Sequence, residues 1–372
     1  MDAFNLERFS DYLEMQGLQA ALLSNPATLT WLSGYAPPIQ TGPSPFEGGP
    51  ALGWWAEGQL TLILADAESG AASASGAILR SYLSYSLDEP LNGAQHQSEV
   101  LQQVLQQAGG LRGKVGVELN FLNARMASTF HQSLPGVKVQ PLDGAFDLLR
   151  AVKSPAEIER IQAALHLCDL AQSFTAQQAA PGKSEIVLWG ALKAHLEEAA
   201  GGRLPILADF VAGPRTSEVG GLPGPYILQE GDAVIADIVP RLNGYWGDNA
   251  GTHFAGRPSV EMSKIYRIVR ETLRKGVESV RPGQRASDLD RMLRGEITAH
   301  GYPSYPHHSG HGIGATFHEE PRLVSYNDLL LQENMVVAIE PGIYVPGVGG
   351  VRLEDVVLVT QDGCRLLTHH LE

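Results

Sequence analysis

The dipeptide Asn243-Gly244 separates two apolar segments, Ala233-Val234-Ile235-Ala236-Asp237-Ile238-Val239 and Tyr245-Trp246-Gly247-Asp248. Asn-Gly in that setting is the strongest short hairpin signal, because both central residues of the tight turn must adopt φ > 0. A two-residue turn sets Leu242 opposite Tyr245, hence Val239 opposite Asp248 and Asp237 opposite Ala250. Side chains alternate faces with period two, so Asp237 and Asp248 project from one face as diagonal neighbours, about 7–8 Å apart at their α-carbons. A slip of one residue would turn them to opposite faces.

A second pair of carboxylates follows the same logic. Val336-Val337-Ala338-Ile339-Glu340 reads as an apolar strand ending before Pro341-Gly342, and Gly350-Val351-Arg352-Leu353-Glu354 returns across a loop centred on Gly347. A hairpin symmetric about Gly347 places Glu340 directly across from Glu354, and like charges facing each other across a ladder are destabilising unless neutralised. Arg352 can supply part of that neutralisation, and a metal is the stronger candidate. Four carboxylates brought together repel and take up protons; they stay ionised at neutral pH if cations hold them. Asp237, Asp248, His311, Glu340 and Glu354 are thus the expected ligands of a two-metal hydrolase.

The histidine comes from the segment Pro306 to Pro321, which holds His307, His308, His311 and His318, four of the twelve histidines. Histidine is the commonest nitrogen ligand and titrates near neutrality. Gly310 and Gly312 flank His311 and are expected to let the backbone approach an ion closely. Two familiar motifs fail here. His318-Glu319-Glu320-Pro321-Arg322 is not HExxH, and Gly310-x-Gly312-x-Gly314 lacks the preceding strand and following helix of a dinucleotide loop.

At 372 residues the chain calls for two domains. Residues 1 to 148 alternate helical and strand patterns: a helix over Leu6 to Met15, a strand over Leu18 to Leu23, and a hairpin from Ala51 to Ala65 turning at Glu57-Gly58. A helix over Glu99 to Gln107, a strand over Val115 to Leu119, a helix over Ala124 to Gln132 and a strand over Val137 to Leu142 complete an α/β domain. Pro37 to Pro50 is a long loop rich in proline and glycine. The second domain, 149 to 372, begins with Ser154-Pro155-Ala156-Glu157, a capping box with proline at the first helical position. A helix from Ser184 and strands from Asp232 to Ala255 follow. The order then recurs: helices opened by Ser259 and Ser287, then strands from Met335 to Tyr344 and Val351 to Thr360. Two helices then strands, twice over, give an α+β domain of two facing halves, each delivering one carboxylate pair.

The balance of 27 basic against 41 acidic residues, a net charge of −14, argues against nucleic acid or an anionic membrane as partner. No run of 18 apolar residues suggests a membrane span, and the start lacks a signal-peptide pattern. Cys168 and Cys364 form no disulfide framework. The expected compartment is the cytoplasm.

With these motifs assembled, the chain resembles the pita-bread metallopeptidases, the group that holds methionine aminopeptidases, aminopeptidase P and prolidase. The resemblance rests on Gly310-His311-Gly312-Ile313-Gly314, His318-Glu319, Ile339-Glu340-Pro341-Gly342-Ile343-Tyr344, Val351-Arg352-Leu353-Glu354-Asp355 and the step from Asp237 to Asp248. The N-terminal domain, with Leu32-Ser33-Gly34-Tyr35 and Val115-Gly116-Val117-Glu118, looks like the creatinase-type domain of the proline-specific members. The resemblance implies a creatinase-like α/β domain followed by a pita-bread domain with pseudo-twofold halves. It implies two divalent ions (Mn, Co or Zn), with Asp237 on one, Asp248 and Glu354 bridging, and His311 and Glu340 on the other. Glu340 would be the general base, His318 would steady the substrate carbonyl, His307 would mark the proline-specific branch, and Arg352 and Tyr245 would support the ligands.

The implied activity is hydrolysis next to proline in di- or short peptides by a homodimer, first as an Xaa-Pro dipeptidase. An Xaa-Pro aminopeptidase, a non-catalytic peptide-binding protein and creatinase-like C–N hydrolysis without metal are the alternatives. Two departures stand out. Gly220, in Glu218-Val219-Gly220-Gly221-Leu222-Pro223, lies about where the family carries a histidine. Asp248-Asn249-Ala250-Gly251-Thr252 keeps only Thr252 of the usual Asp-x-Thr-Arg-Thr ending.

Overall fold

The computed structural model describes residues 1–39, 48–107 and 109–369, so most of the Pro37 to Pro50 loop lies outside the described residues. The chain divides into two compact units, Met1–Leu149 and Arg150–Glu372.

In the first unit, strands β1 (Leu18–Leu23), β2 (Leu52–Ala56), β3 (Gln59–Ala65), β4 (Ile78–Tyr82), β5 (Lys114–Val117) and β6 (Lys138–Pro141) form one sheet in the order β4-β3-β2-β1-β5-β6. The hairpin β2–β3 turns at Glu57-Gly58, both at positive φ, as its sequence requires. Helices α1 (Ala3–Gln16), α2 (Pro26–Ser33), α3 (Ser69–Ala72), α4 (Gly93–Gln107), α5 (Ala124–Ser133) and α6 (Ala145–Leu149) complete it. Glu118 is buried at the start of α2, where its carboxylate accepts from the Ser24 and Asn25 amides, each at 2.8 Å, and from the Thr28 hydroxyl. Its carboxylate ties down the turn that leads into α2, and these bonds satisfy it in its buried place.

The second unit repeats two helices and then strands. Helix α7 (Pro155–Gln178) opens on the full capping box, with Ser154 Oγ accepting from the Glu157 amide (3.1 Å) and Glu157 Oε2 accepting from the Ser154 amide (3.0 Å). Helix α8 (Glu185–Ala200) buries Leu188, Leu192 and Leu196 on one face, each worth roughly 2 kcal/mol of transfer free energy. Strands β7 (Ile206–Ala212), β8 (Asp232–Leu242), β9 (Tyr245–Trp246) and β10 (Asn249–Ala255) follow, with β8 central between β10 and β7.

Helices α9 (Val260–Ser279) and α10 (Ala286–Ala299) then lead to β11 (Val336–Ile339), β12 (Gly342–Val345), β13 (Gly349–Arg352), β14 (Asp355–Val359) and β15 (Cys364–Leu366). Ser259 caps α9 as expected, its Oγ accepting from the Met262 amide (3.1 Å). Helix α10 starts two residues earlier than a Ser287 cap would set it: Arg285 is the cap, and the Ser287 hydroxyl donates to Asp328 instead (3.2 Å).

Candidate metal centre

The Asn243-Gly244 turn closes as its sequence requires, both residues at positive φ, with Leu242 paired to Tyr245 and Asp237 to Ala250. That register puts Asp237 and Asp248 on one face. It also puts Tyr245, the partner of Leu242, on the other face. Tyr245 is therefore no support for the ligands; its hydroxyl donates to Glu157 (3.3 Å) on α7.

The second hairpin is symmetric about Gly347, since Gly342 pairs with Arg352 and Ile339 with Asp355. The expected continuous strands are each broken at the carboxylates, so that β11 and β12, and β13 and β14, are separate. The backbone at the break bonds elsewhere. The Glu340 amide donates to the Ser309 carbonyl (3.0 Å) in the histidine segment, and the Glu354 amide donates to the Ala250 carbonyl (2.9 Å) of β10. Asn249 Nδ2 donates to the Glu354 carbonyl (2.7 Å), and Thr252 Oγ1 donates to the Arg352 carbonyl (2.8 Å). These bonds lock the two hairpins together.

The histidine segment runs beside β11, the Ala338 amide donating to the His311 carbonyl (2.8 Å). Gly310 and Gly312 serve that approach rather than an ion. A Cβ at Gly310 would stand 2.0 Å from the Ala338 carbonyl oxygen, and one at Gly312 would stand 2.2 Å from that of Glu320. Arg294 on α10 fixes the segment by donating to the carbonyls of Tyr305 (2.7 Å) and His307 (2.6 Å), while Ser309 donates to Asp290 (2.6 Å). Glu319 is a structural anion, buried against Lys153 (2.5 Å) and Arg150 (3.3 Å). Burial alone would raise its pKa, and those two cations hold it low.

All five expected ligands line one cleft of about 320 Å³, together with His307, His308, His318, Arg352 and Asp209. Asp248, His311 and Glu354 each offer a ligand atom within 4.8 Å of the others. His311 Nε2 lies 3.5 Å from Asp248 and 3.7 Å from Glu340. Asp237 is held by Arg352 Nη2 (2.6 Å), whose other nitrogen donates to the Val219 carbonyl (2.8 Å) and the Tyr344 hydroxyl (3.2 Å).

His307 Nδ1 donates to the His308 carbonyl (2.8 Å), and its Nε2 accepts from Tyr344 (2.9 Å). His318 stands at the exposed mouth, its ring 4.3 Å from that of His311. His308 was not singled out by the sequence, yet its Nε2 sits 3.3 Å from Glu340; its place beside His307 and His311 was the available signal.

The electrostatics match a cation site. Burial and then repulsion from neighbouring carboxylates push Asp248 and Glu354 well above the carboxylate range. Burial pushes Glu340 up to about 8 against the opposing pull of Arg352. Burial likewise lowers His307 to about 3 and His308 to about 4, so both rings are neutral at pH 7. Two buried carboxylate oxygens, Asp237 Oδ1 and Glu354 Oε1, have no hydrogen-bond partner. His311 Nδ1 bonds the Gly312 carbonyl (2.9 Å); a carbonyl only accepts, so the proton is on Nδ1 and Nε2 keeps its lone pair. Orphaned anionic oxygens beside a free imidazole nitrogen are the donor set divalent cations require.

The chain belongs to the metallopeptidase family M24, whose profile matches residues 159–361, and is a metallopeptidase on a pita-bread domain. A creatinase/prolidase N-terminal domain matches residues 5–152. Among curated relatives, the Xaa-Pro dipeptidase of Pyrococcus furiosus is 34% identical over 256 residues, covering 68% of this chain and 73% of that protein. The solved prolidase from Pyrococcus furiosus superposes with a TM-score of 0.79 at 26% identity, covering 96% of this chain and 98% of that one. The Xaa-Pro dipeptidase from Bacillus anthracis gives 0.81 at 26% identity, covering 98% and 96%.

Proposed function

We propose that this chain is a dinuclear-metal Xaa-Pro dipeptidase, acting on the bond between a first residue and proline. One observation carries the reading: five ligand-type side chains from two interlocked hairpins and a histidine segment share one cleft, in a chain similar to Xaa-Pro dipeptidases. Asp237, Asp248, His311, Glu340 and Glu354 would hold two divalent ions, and a set rich in oxygen with one imidazole suits Mn²⁺, Co²⁺ or Zn²⁺. When bound, the ions supply Lewis acidity and lower the pKa of the attacking water.

The chain's own residues do the rest. Glu340 takes a proton from the attacking water and returns it to the leaving proline nitrogen, acting as base and then acid. His308 and His307, at 3.3 and 3.7 Å, flank its two oxygens. Both nitrogens of His307 are engaged within the protein, on the His308 carbonyl and the Tyr344 hydroxyl, so it positions those groups. His318, at the mouth, steadies the carbonyl oxygen as charge develops there. Arg352 holds Asp237 in place. Preference for a dipeptide over a longer chain rests on the likeness to Xaa-Pro dipeptidases.

The test is hydrolysis of Xaa-Pro against Xaa-Pro-Yaa peptides by metal-loaded protein and by Glu340→Ala. The expected result is preference for the dipeptide and loss of activity in the variant. Preference for the longer peptide reverses the assignment to an Xaa-Pro aminopeptidase, and near wild-type turnover by Glu340→Ala ends it. A homodimer in the cytoplasm is the assembly this reading expects, to be checked by light scattering and by fractionation of cells; no helix among the described residues is long and apolar enough to cross a membrane.

A further inference from the structure

Asp209 is an acidic residue of the cleft that neither ligand hairpin supplies. It lies on β7 directly opposite Asp237 of β8, and residues opposite each other in an antiparallel ladder share a face about 4.5–5.5 Å apart. Its side chain is 41% exposed against 17% for Asp237 and 4% for Arg352. Asp209 therefore stands toward the mouth, with the ligands and the guanidinium below it.

The chain is built around this carboxylate. Asp209 Oδ1 accepts from the Gly221 amide (2.8 Å), and Oδ2 accepts from Arg352 (3.1 Å). A Cβ at Gly220 would come 2.0 Å from Oδ2, so no side chain, imidazole included, fits at 220 while Asp209 holds this position. The neighbouring Val219 takes φ 78, a costly conformation for a β-branched residue, and its carbonyl accepts from Arg352 (2.8 Å). The Asp209 carboxylate fills the space that a side chain at position 220 would need.

The consequence is electrostatic. Among the described residues lining the cleft Arg352 is the only Lys or Arg, and it is shared between Asp237 and Asp209. The four ligand carboxylates match the charge of two divalent ions, and Asp209 matches Arg352. The negative member of that last pair is the exposed one. An incoming peptide held near Asp237 thus meets an outward carboxylate within reach of a long side chain.

We propose that Asp209 selects Xaa-Pro substrates whose first residue carries a basic side chain, lysine or arginine, and disfavours acidic ones. This rests on the Xaa-Pro reading above. The attraction and the repulsion together separate the two classes by on the order of tenfold at a partly exposed site.

The experiment measures kcat/KM for Lys-Pro, Ala-Pro and Glu-Pro in metal-loaded wild type and Asp209→Asn. It also measures Kd for uncleavable reduced-bond analogues of Lys-Pro and Glu-Pro. Wild type should favour Lys-Pro over Glu-Pro about tenfold in both readouts, and Asp209→Asn should lower the Lys-Pro value while raising the Glu-Pro value. A merely structural role would lower every substrate together, and that outcome, or a ratio unchanged by the substitution, overturns the proposal. Hydrolysis of Ala-Pro with no charge preference in wild type overturns the Asp209 assignment alone. Absence of hydrolysis of any Xaa-Pro peptide by metal-loaded wild type overturns the proline reading with it.

Discussion

Stripping the metal should make the protein lose stability as pH rises from 6.5 to 8. Burial lifts the Glu340 carboxyl from 4.5 to about 8, so between those values the folded chain holds a proton that the unfolded chain has released. Stability falls with pH wherever the folded state binds more protons. At 1.36 kcal/mol per pH unit the full penalty is about 5 kcal/mol, of which about 2 kcal/mol develops between pH 6.5 and 8. Asp248 and Glu354 are raised in the same direction. Histidines act oppositely. His253 and His308 are lowered to about 4, His307 to about 3, and His311 and His318 also lie below the ordinary value, so they add stability as pH rises until about a unit above their unfolded value of about 6.5, a contribution that the Glu340→Gln control carries unchanged. The assay is urea unfolding of chelator-treated protein at pH 6.5, 7.2 and 8.0, with Glu340→Gln as the control that removes about 2 kcal/mol of the slope. Divalent metal should abolish the fall, because cations stabilise the ionised carboxylates. Metal-free protein that holds or gains stability over this window would refute the reasoning.

Two further outcomes follow from geometry. Gly310→Ala places a methyl 2.0 Å from the Ala338 carbonyl oxygen at φ 151, and should cost about 3 kcal/mol or more of unfolding free energy while dislodging His311; a cost below ~1 kcal/mol would show that the segment can move off β11. Ser154→Ala removes the capping box of α7 and should cost about 1 kcal/mol by thermal or urea unfolding, with Glu340-dependent turnover retained.

The paired carboxylates were legible because turn chemistry and strand parity are local. Asn243-Gly244 set the register that brought Asp237 and Asp248 to one face, and Gly347 centred the second hairpin. What was not legible depends on contacts distant in sequence. The breaks at Glu340 and Glu354 arise because their amides bond to Ser309 and Ala250, which no local pattern announces. Asp209 carries no local signal, because β7 meets its partner strand, which begins at Asp232, only across a long connection. Tyr245 was misplaced although the hairpin parity already assigned it to the far face. Helix α2 could have been found, since Asn25 caps it and Pro26 opens it. In sequence Gly310 and Gly312 suggest room for an ion, whereas their neighbours are backbone carbonyls that only the folded chain brings near.

The most direct measurement is the number of divalent ions bound per chain, by equilibrium dialysis of chelator-treated protein against Mn²⁺ with elemental analysis. The account predicts two, falling when Asp248→Asn or Glu354→Gln removes a shared ligand, with Xaa-Pro hydrolysis lost on chelation and restored on reloading. Protein that binds no divalent ion at neutral pH, or that hydrolyses Xaa-Pro peptides equally well without one, would contradict it.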